Sequence, residues 1–298
     1  MKTYLDCYPC FLRQALEASR AVGITQEGQH HLLQKVMEEL LQLDTDCPPP
    51  EIAQVIHRMV RMQTGAHDPY SHLKAHSTKR ALNLYPRLQR LLQEADDPLS
   101  CAVRLAIAGN IIDFAQPNTK ARVDNLWSAV QDTLRQPFTI DHTQALGKAL
   151  EASHEVLFLA DNAGETVFDR LLIESIETPT RYVVKGGPII NDATVKDAQK
   201  AELHRVAEII NSGSDAPGTL LKDCSPTFLH DFYNAPVIIA KGQANYETLS
   251  QVPAPIFFLL KIKCPVIAKD MGVATGSIIC KRSENYLKRS ETVQPNCR

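Results

Sequence analysis

The 298-residue sequence has little net charge, −2 with its histidines neutral, and no long apolar run. Near-neutrality removes the electrostatic case for a nucleic acid or an anionic membrane as partner. No stretch reaches the roughly 18 apolar residues of a membrane-spanning helix. The nearest, residues 252–268, is interrupted by Lys261, Lys263 and several prolines. The first residues, Met1-Lys-Thr-Tyr-Leu-Asp-Cys7, lack the apolar stretch of a secretory signal, so a cytoplasmic location is expected. Two nucleotide fingerprints are missing as well. No Gly-x-Gly-x-x-Gly follows the first strand pattern and no Gly-x-x-x-x-Gly-Lys-Ser/Thr occurs anywhere, which argues against a dinucleotide enzyme and a P-loop NTPase. Internal repeats and low-complexity segments are absent. The 8 cysteines are scattered, which in a cytoplasmic chain argues against a disulfide framework. Cys101, Cys264 and Cys280 lie in apolar runs and read as core, and Cys297 as a tail thiol.

What is present is an ordinary globular composition, 44% apolar and 22% charged, long enough for a large core or two domains. Residues 1–152 read as an all-helical domain. Apolar residues recur every three or four positions over Phe11–Leu16, His31–Leu43, Ile52–Met62 and Leu73–Leu92, the last with a break expected at Pro86. Asp68-Pro69 suits the opening of that helix, with Asp as N-cap and Pro at the first helical position. Further helices are expected over Leu99–Phe114, Arg122–Thr133 and His142–Ser153.

From residue 153 the period changes. Strand patterns appear at Val156–Ala160, Arg181–Lys185, Val206–Ile210, Val237–Lys241, Ile256–Leu260 and near Ser277–Cys280, with helical patterns between most of them. This alternation predicts an α/β domain over 153–298, with a mostly parallel sheet covered on both faces.

The stretch Val156-Leu-Phe-Leu-Ala-Asp-Asn-Ala-Gly-Glu165 organises this half. A buried strand that ends in acids and amides just before a helix is where open α/β sheets place ligands. Asp161 and Asn162 offer oxygens to a hard cation such as Mg²⁺ or Mn²⁺, or one of them merely caps the next helix. The later strand ends repeat the theme: Lys185-Gly-Gly-Pro-Ile-Ile-Asn-Asp-Ala-Thr194, Asn211–Thr219, and Lys241-Gly-Gln-Ala-Asn245 with Glu247. In a parallel sheet these loops share one edge. Carboxylates to hold a cation, lysines for phosphate and glycines that open backbone N–H groups are the parts of a metal-assisted phosphoryl site. Each loop alone is also compatible with plain turn chemistry.

Two features of the helical half carry similar alternatives. Cys7-Tyr-Pro-Cys10 suits half of a zinc site or a redox dithiol, with His30, His31, Cys47 or Cys101 as candidates to complete it, or it is two incidental thiols at a helix start. Asn110 and Asp113 share a face of an apolar helix, and Gly109 beside them costs about 1 kcal/mol there, which is easier to accept if another backbone or a ligand comes close; the alternative, which spacing alone favours, is a buried, satisfied Asn and a helix-end Asp.

Together, Asp161-Asn-Ala-Gly-Glu165, Lys185–Thr194 and Lys241-Gly-Gln-Ala-Asn-Tyr-Glu247 resemble the damage-control phosphatases, once called domain-of-unknown-function 89. Cys7-x-x-Cys10, Asp68-Pro-Tyr70 and Gly109-Asn-Ile-Ile-Asp113 look like its branch with an N-terminal cysteine pair. The resemblance implies a helical part joined to a Rossmann-like α/β/α part. It implies a phosphatase dependent on Mn²⁺, Mg²⁺, Co²⁺ or Ni²⁺, acting on sugar phosphates, phosphopantetheine-type compounds or damaged phosphorylated metabolites. It implies Asp161, Asn162 and Asp192 as metal ligands and Lys241 as the phosphate-binding lysine. Asn110, Glu165, Lys185, Asn191, Gly242 and Asn245 are the expected substrate contacts; the resemblance assigns Cys7 and Cys10 no role, and they stay a candidate second metal or redox pair. The competing expectations are an S-adenosylmethionine-dependent methyltransferase and a non-enzymatic metal or redox sensor built on the cysteine pair.

Overall fold

A computed structural model describes residues 1–112 and 126–286. Asp113, Phe114, the start of the helix expected from Arg122, and Cys297 lie outside the described residues. The first helices are α1 (Cys7–Ala21), α2 (Gln26–Leu41), α3 (Pro49–Thr64), α4 (Ser71–Gln93), α5 (Pro98–Ala108) and α6 (Leu126–Arg135). Then follow β1 (Phe138–Asp141), α7 (Thr143–Glu151), β2 (Val156–Leu159), α8 (Thr166–Glu174), β3 (Thr180–Val184), α9 (Val195–Lys200) and β4 (Glu208–Asn211). The chain continues with α10 (Pro226–Asn234), β5 (Ile238–Lys241), α11 (Gly242–Leu249), β6 (Ile256–Lys261), α12 (Pro265–Met271) and β7 (Ile278–Arg282).

The strands form a single seven-stranded sheet in the order β1-β7-β6-β5-β2-β3-β4. The five from β6 to β4 are parallel, β7 runs antiparallel to β6, and β1 pairs parallel with β7. The reading of residues 1–152 as all-helical therefore fails at Phe138–Asp141, which is an edge strand. It has only four residues, with alternating half-buried and exposed side chains, so it carries little apolar signal.

Alternation along the strands sorts side chains to the two faces. Val156, Phe158 and Ala160 of β2 and the turn after it join one core with Ala102, Val103, Ala106 and Ile107 of α5 and with residues of α7, α8 and α9. Leu157 and Leu159 join the opposite core with α10, α11 and α12. A helix of the N-terminal half thus forms part of a covering layer. All four β2 side chains are fully or nearly fully buried, each worth roughly 1.5–3 kcal/mol, which is why this strand holds the centre. A third core joins α4, α5, α6 and α8, and a fourth gathers α1, α2 and α3 with Tyr70 and Val266.

Two helix boundaries differ from expectation. Helix α4 runs through Pro86, which is exposed, while Ala81, Tyr85 and Leu88 are buried on the other side; packing outweighs the lost hydrogen bond. The same helix begins at Ser71, not at Pro69. Asp68 instead accepts the Tyr70 N–H at 3.1 Å in a turn and pairs with Lys74 at 2.7 Å.

Candidate active site

Among the parallel strands the order reverses between β2 and β5, whose chain continuations run to opposite sides. A crevice outside the carboxyl ends of such a pair is the usual ligand position in open α/β sheets. The loops after β2, β3 and β5 meet there. An isolated bridge joins Asn162 to Asp192, supported by Ala163 N–H to Asn191 O and Ala193 N–H to Asp161 O, both 2.8 Å. Lys185 is bridged to Thr194, so the Lys185–Thr194 loop folds back on itself and presents Asp192 to the end of β2.

Asp161, Asn162, Glu165, Asp192, Asn110, Lys185, Lys241 and Asn245 are all buried. Asn162 makes no helix-capping bond, which removes the bland alternative for it. Its amide donates to Asp161 Oδ2 at 3.1 Å and to Glu165 Oε1 at 2.6 Å. Asn110 arrives from the turn after α5 and donates to the same two oxygens, at 3.1 and 2.6 Å. Its Oδ1 is buried without a hydrogen-bond partner. Gly109 is explained by Phe168 of α8: a Cβ on it would meet the Phe168 Cβ at 3.0 Å.

Gly242 has a left-handed φ of +80°, and a Cβ there would lie 1.9 Å from Asp161 Oδ2. The glycine thus lets Asp161 sit against the start of α11. Asn245 is fully used in holding the site together. Its amide donates to Ala160 O and Lys241 O at 3.2 and 2.7 Å, and its Oδ1 accepts from Thr219 at 2.8 Å.

Lys185 pairs with Asp192 at 3.4 Å and donates to Gly218 O. Lys241 is held by Glu165 at 3.0 Å and by Asp169 of α8 at 2.5 Å, and Tyr182 donates to Asp169 at 2.7 Å. Asp169 carries no signal in the sequence that marks it as a site residue. An acid among Val167, Phe168, Leu171 and Leu172 gives no strand-end signal, and only the fold shows that it is fully buried beneath Lys241.

Burial, and then the charges of Glu165 and Asp192, hold the Asp161 carboxyl well above the usual carboxylate range, with Lys185 and Lys263 opposing. Burial likewise pushes Asp169 up to about 6 against the pull of Lys241. Burial disfavours the charge on Lys241, but Asp169 and Glu165 outweigh it and keep the amine protonated. Asp161, Asn162 and Asp192 carry oxygen donors of the kind a hard divalent cation takes; among the described residues the site's carboxylates do not by themselves form a three-ligand cluster.

Other expected residues lie elsewhere. Asn211 accepts from Gly213 N–H in an ordinary turn, and Asp215 is gripped by Gln54, Arg58 and Arg61 of α3. Cys7 is buried and Cys10 exposed on the first turn of α1. Burial pushes both thiols up, with Cys264 and Glu247 as charged or titratable neighbours. Among the described residues no three histidine, cysteine, aspartate or glutamate side chains are arranged to hold a metal, so none of His30, His31, Cys47 or Cys101 completes a cluster with this pair. Among the described residues no helix is long and apolar enough to cross a membrane.

Comparison with known proteins places the chain in a family. The Damage-control phosphatase ARMT1-like domain matches residues 3–279. A damage-control phosphatase of Pyrococcus horikoshii is 37% identical over 225 residues, 74% of this chain and 76% of that protein. A damage-control phosphatase of Archaeoglobus fulgidus is 34% identical over 235 residues, 77% of this chain and 81% of its own length. The crystal structure of a domain-of-unknown-function 89 protein from Pyrococcus horikoshii superposes with a TM-score of 0.87 at 31% identity, covering 95% of this chain and all of that one. The chain belongs to the damage-control phosphatase family with an ARMT1-like domain.

Proposed function

We propose that the chain is a divalent-metal-dependent phosphatase hydrolysing small phosphorylated metabolites, sugar phosphates and damaged phosphometabolites among them. The observation that carries this is a charge imbalance. Four buried acids, Asp161, Glu165, Asp169 and Asp192, face two buried lysines, Lys185 and Lys241, for a formal charge of −2. The half-buried Lys263 also acts on Asp161, an excess of negative charge remains, and a divalent cation would offset it. Asp161, Asn162 and Asp192 would hold Mn²⁺, Mg²⁺, Co²⁺ or Ni²⁺, and the ion, when bound, neutralises phosphate charge and acidifies water.

The chain's own groups do the rest. Lys241 has three N–H donors, two of them given to Glu165 and Asp169, which leaves one for a phosphate oxygen. Lys185 supplies a second positive charge beside Asp192. Asn110 holds the Asp161 and Glu165 carboxylates in register, and its Oδ1 is an acceptor for a substrate or water N–H or O–H. Exclusion of bulk water by this burial strengthens each contact. The methyltransferase reading finds less support, because the loop after β2 is filled by contacting acids and amides rather than opened by glycines.

A panel of phosphometabolites assayed with each of the four metals tests the reading. Asp161→Ala should abolish turnover while the protein stays folded. Near-normal phosphatase activity in that variant with added Mn²⁺ would rule the assignment out.

A further inference from the structure

We propose that Asp169 and Tyr182 are positioning residues that act through Lys241, fixing its ammonium so that one N–H faces the substrate phosphate. This inference rests on the phosphatase reading of the site. A lysine ends in a point charge on a flexible four-carbon stem, so a single contact leaves it many positions. Here the stem is buried and the amine has two carboxylate acceptors, Glu165 Oε2 at 3.0 Å and Asp169 Oδ1 at 2.5 Å, one turn apart at the start of α8. Each carboxylate is itself held. Glu165 Oε1 takes the amides of Asn110 and Asn162, and Asp169 Oδ2 takes the Tyr182 hydroxyl at 2.7 Å.

The far end of this chain is packed in the core. Tyr182 is fully buried on β3, and its ring packs on Phe158 of β2 with centroids 5.3 Å apart. The path Tyr182, Asp169, Lys241, Glu165 therefore runs from the middle of strand β3 to the candidate site, with every carboxylate oxygen engaged. A buried ion pair that serves stability alone has no need of such a path, and buried ion pairs are in any case weak sources of stability.

Kinetics on the metal-loaded protein decide the matter, with p-nitrophenyl phosphate as substrate and inorganic phosphate as inhibitor. Asp169→Asn keeps the shape but removes the charge that holds Lys241. It should lower kcat/KM by about 10²-fold, the scale of an ångström-sized misplacement, and weaken phosphate inhibition, while the metal concentration giving half activity stays the same. Tyr182→Phe should give a smaller loss of the same kind. In a Lys241→Met background Asp169→Asn should cost nothing further, since both act at one point. Wild-type kinetics in Asp169→Asn, or an undiminished loss in the Lys241→Met background, overturns the proposal. If Asp169→Asn fails to fold, Tyr182→Phe decides: altered phosphate inhibition supports the proposal, and a lowered melting temperature with unchanged kinetics overturns it. A wild-type protein that is inert toward p-nitrophenyl phosphate under all four metals refutes the phosphatase reading instead. The effect of Asp169→Asn on inorganic phosphate binding, measured by calorimetry, then still tests the link to Lys241.

Discussion

Replacing Gly242 with alanine probes the site with a single methyl group. The alanine Cβ would lie 1.9 Å from Asp161 Oδ2 and 2.3 Å from its Cγ, where real Cβ contacts essentially never fall under 3.0 Å. One partner must move by about 1.1 Å. The neighbouring backbone is pinned, because Lys241 ends β5 and its carbonyl accepts from Asn245, so the carboxylate is the part that yields. That movement breaks the 3.1 Å bonds from Asn110 and Asn162 to Oδ2. The left-handed φ of +80° adds strain of about 1–2 kcal/mol for a residue with a Cβ. An ångström of misplacement at a reacting centre costs about 10²-fold. Gly242→Ala should thus retain its helical and strand circular dichroism, melt lower, and lose about 10²-fold in kcat/KM with saturating Mn²⁺. Turnover within a factor of three of wild type would refute the claim that Asp161 is held in a working position by this glycine.

Other perturbations separate scaffold from site. Lys74 is almost fully buried between Asp68 and Asp197, at 2.7 and 3.0 Å, so Lys74→Met should destabilise by about 3 kcal/mol by leaving acids without their cation; an unchanged urea midpoint would contradict this. His57 is buried, and burial and then Arg61 lower it from 6.5 to about 4. The fold therefore favours its neutral form, and this contribution is complete above pH 6.5 and lost as the pH falls toward 4. His57→Gln should flatten that acid-side loss by up to about 3 kcal/mol, and a pH–stability profile identical to wild type would count against it. Asp192→Asn should raise the metal concentration needed for half activity at least about tenfold, and an unaltered metal dependence would remove Asp192 from the ligand set.

The central sheet and most of its loops were legible because β2, β5 and β6 are apolar throughout and end abruptly in polar residues. Parallel pairing then forces Asp161, Asp192 and Lys241 to one edge. What stayed hidden has physical causes. Phe138–Asp141 is a short edge strand and borrows its order from β7, 140 residues away in sequence. Asp169 sits at a helical spacing that suits a solvent-facing acid, and only the position of Tyr182 and Lys241 makes it a buried one. Asn245 reads as a ligand residue, and the structure shows its side chain bonded to Ala160 O after β2, to Lys241 O at the end of β5 and to the Thr219 hydroxyl. Asp68 and Pro86 followed local rules for helix starts and breaks, and tertiary packing overrode both.

Calorimetric titration of the metal-free protein with Mn²⁺ addresses the central claim most directly. The account predicts one ion per chain, and loss of that binding in Asp161→Asn with the fold intact. Binding that persists unchanged in the variant, or no binding by the wild type to Mn²⁺, Mg²⁺, Co²⁺ or Ni²⁺, would contradict it.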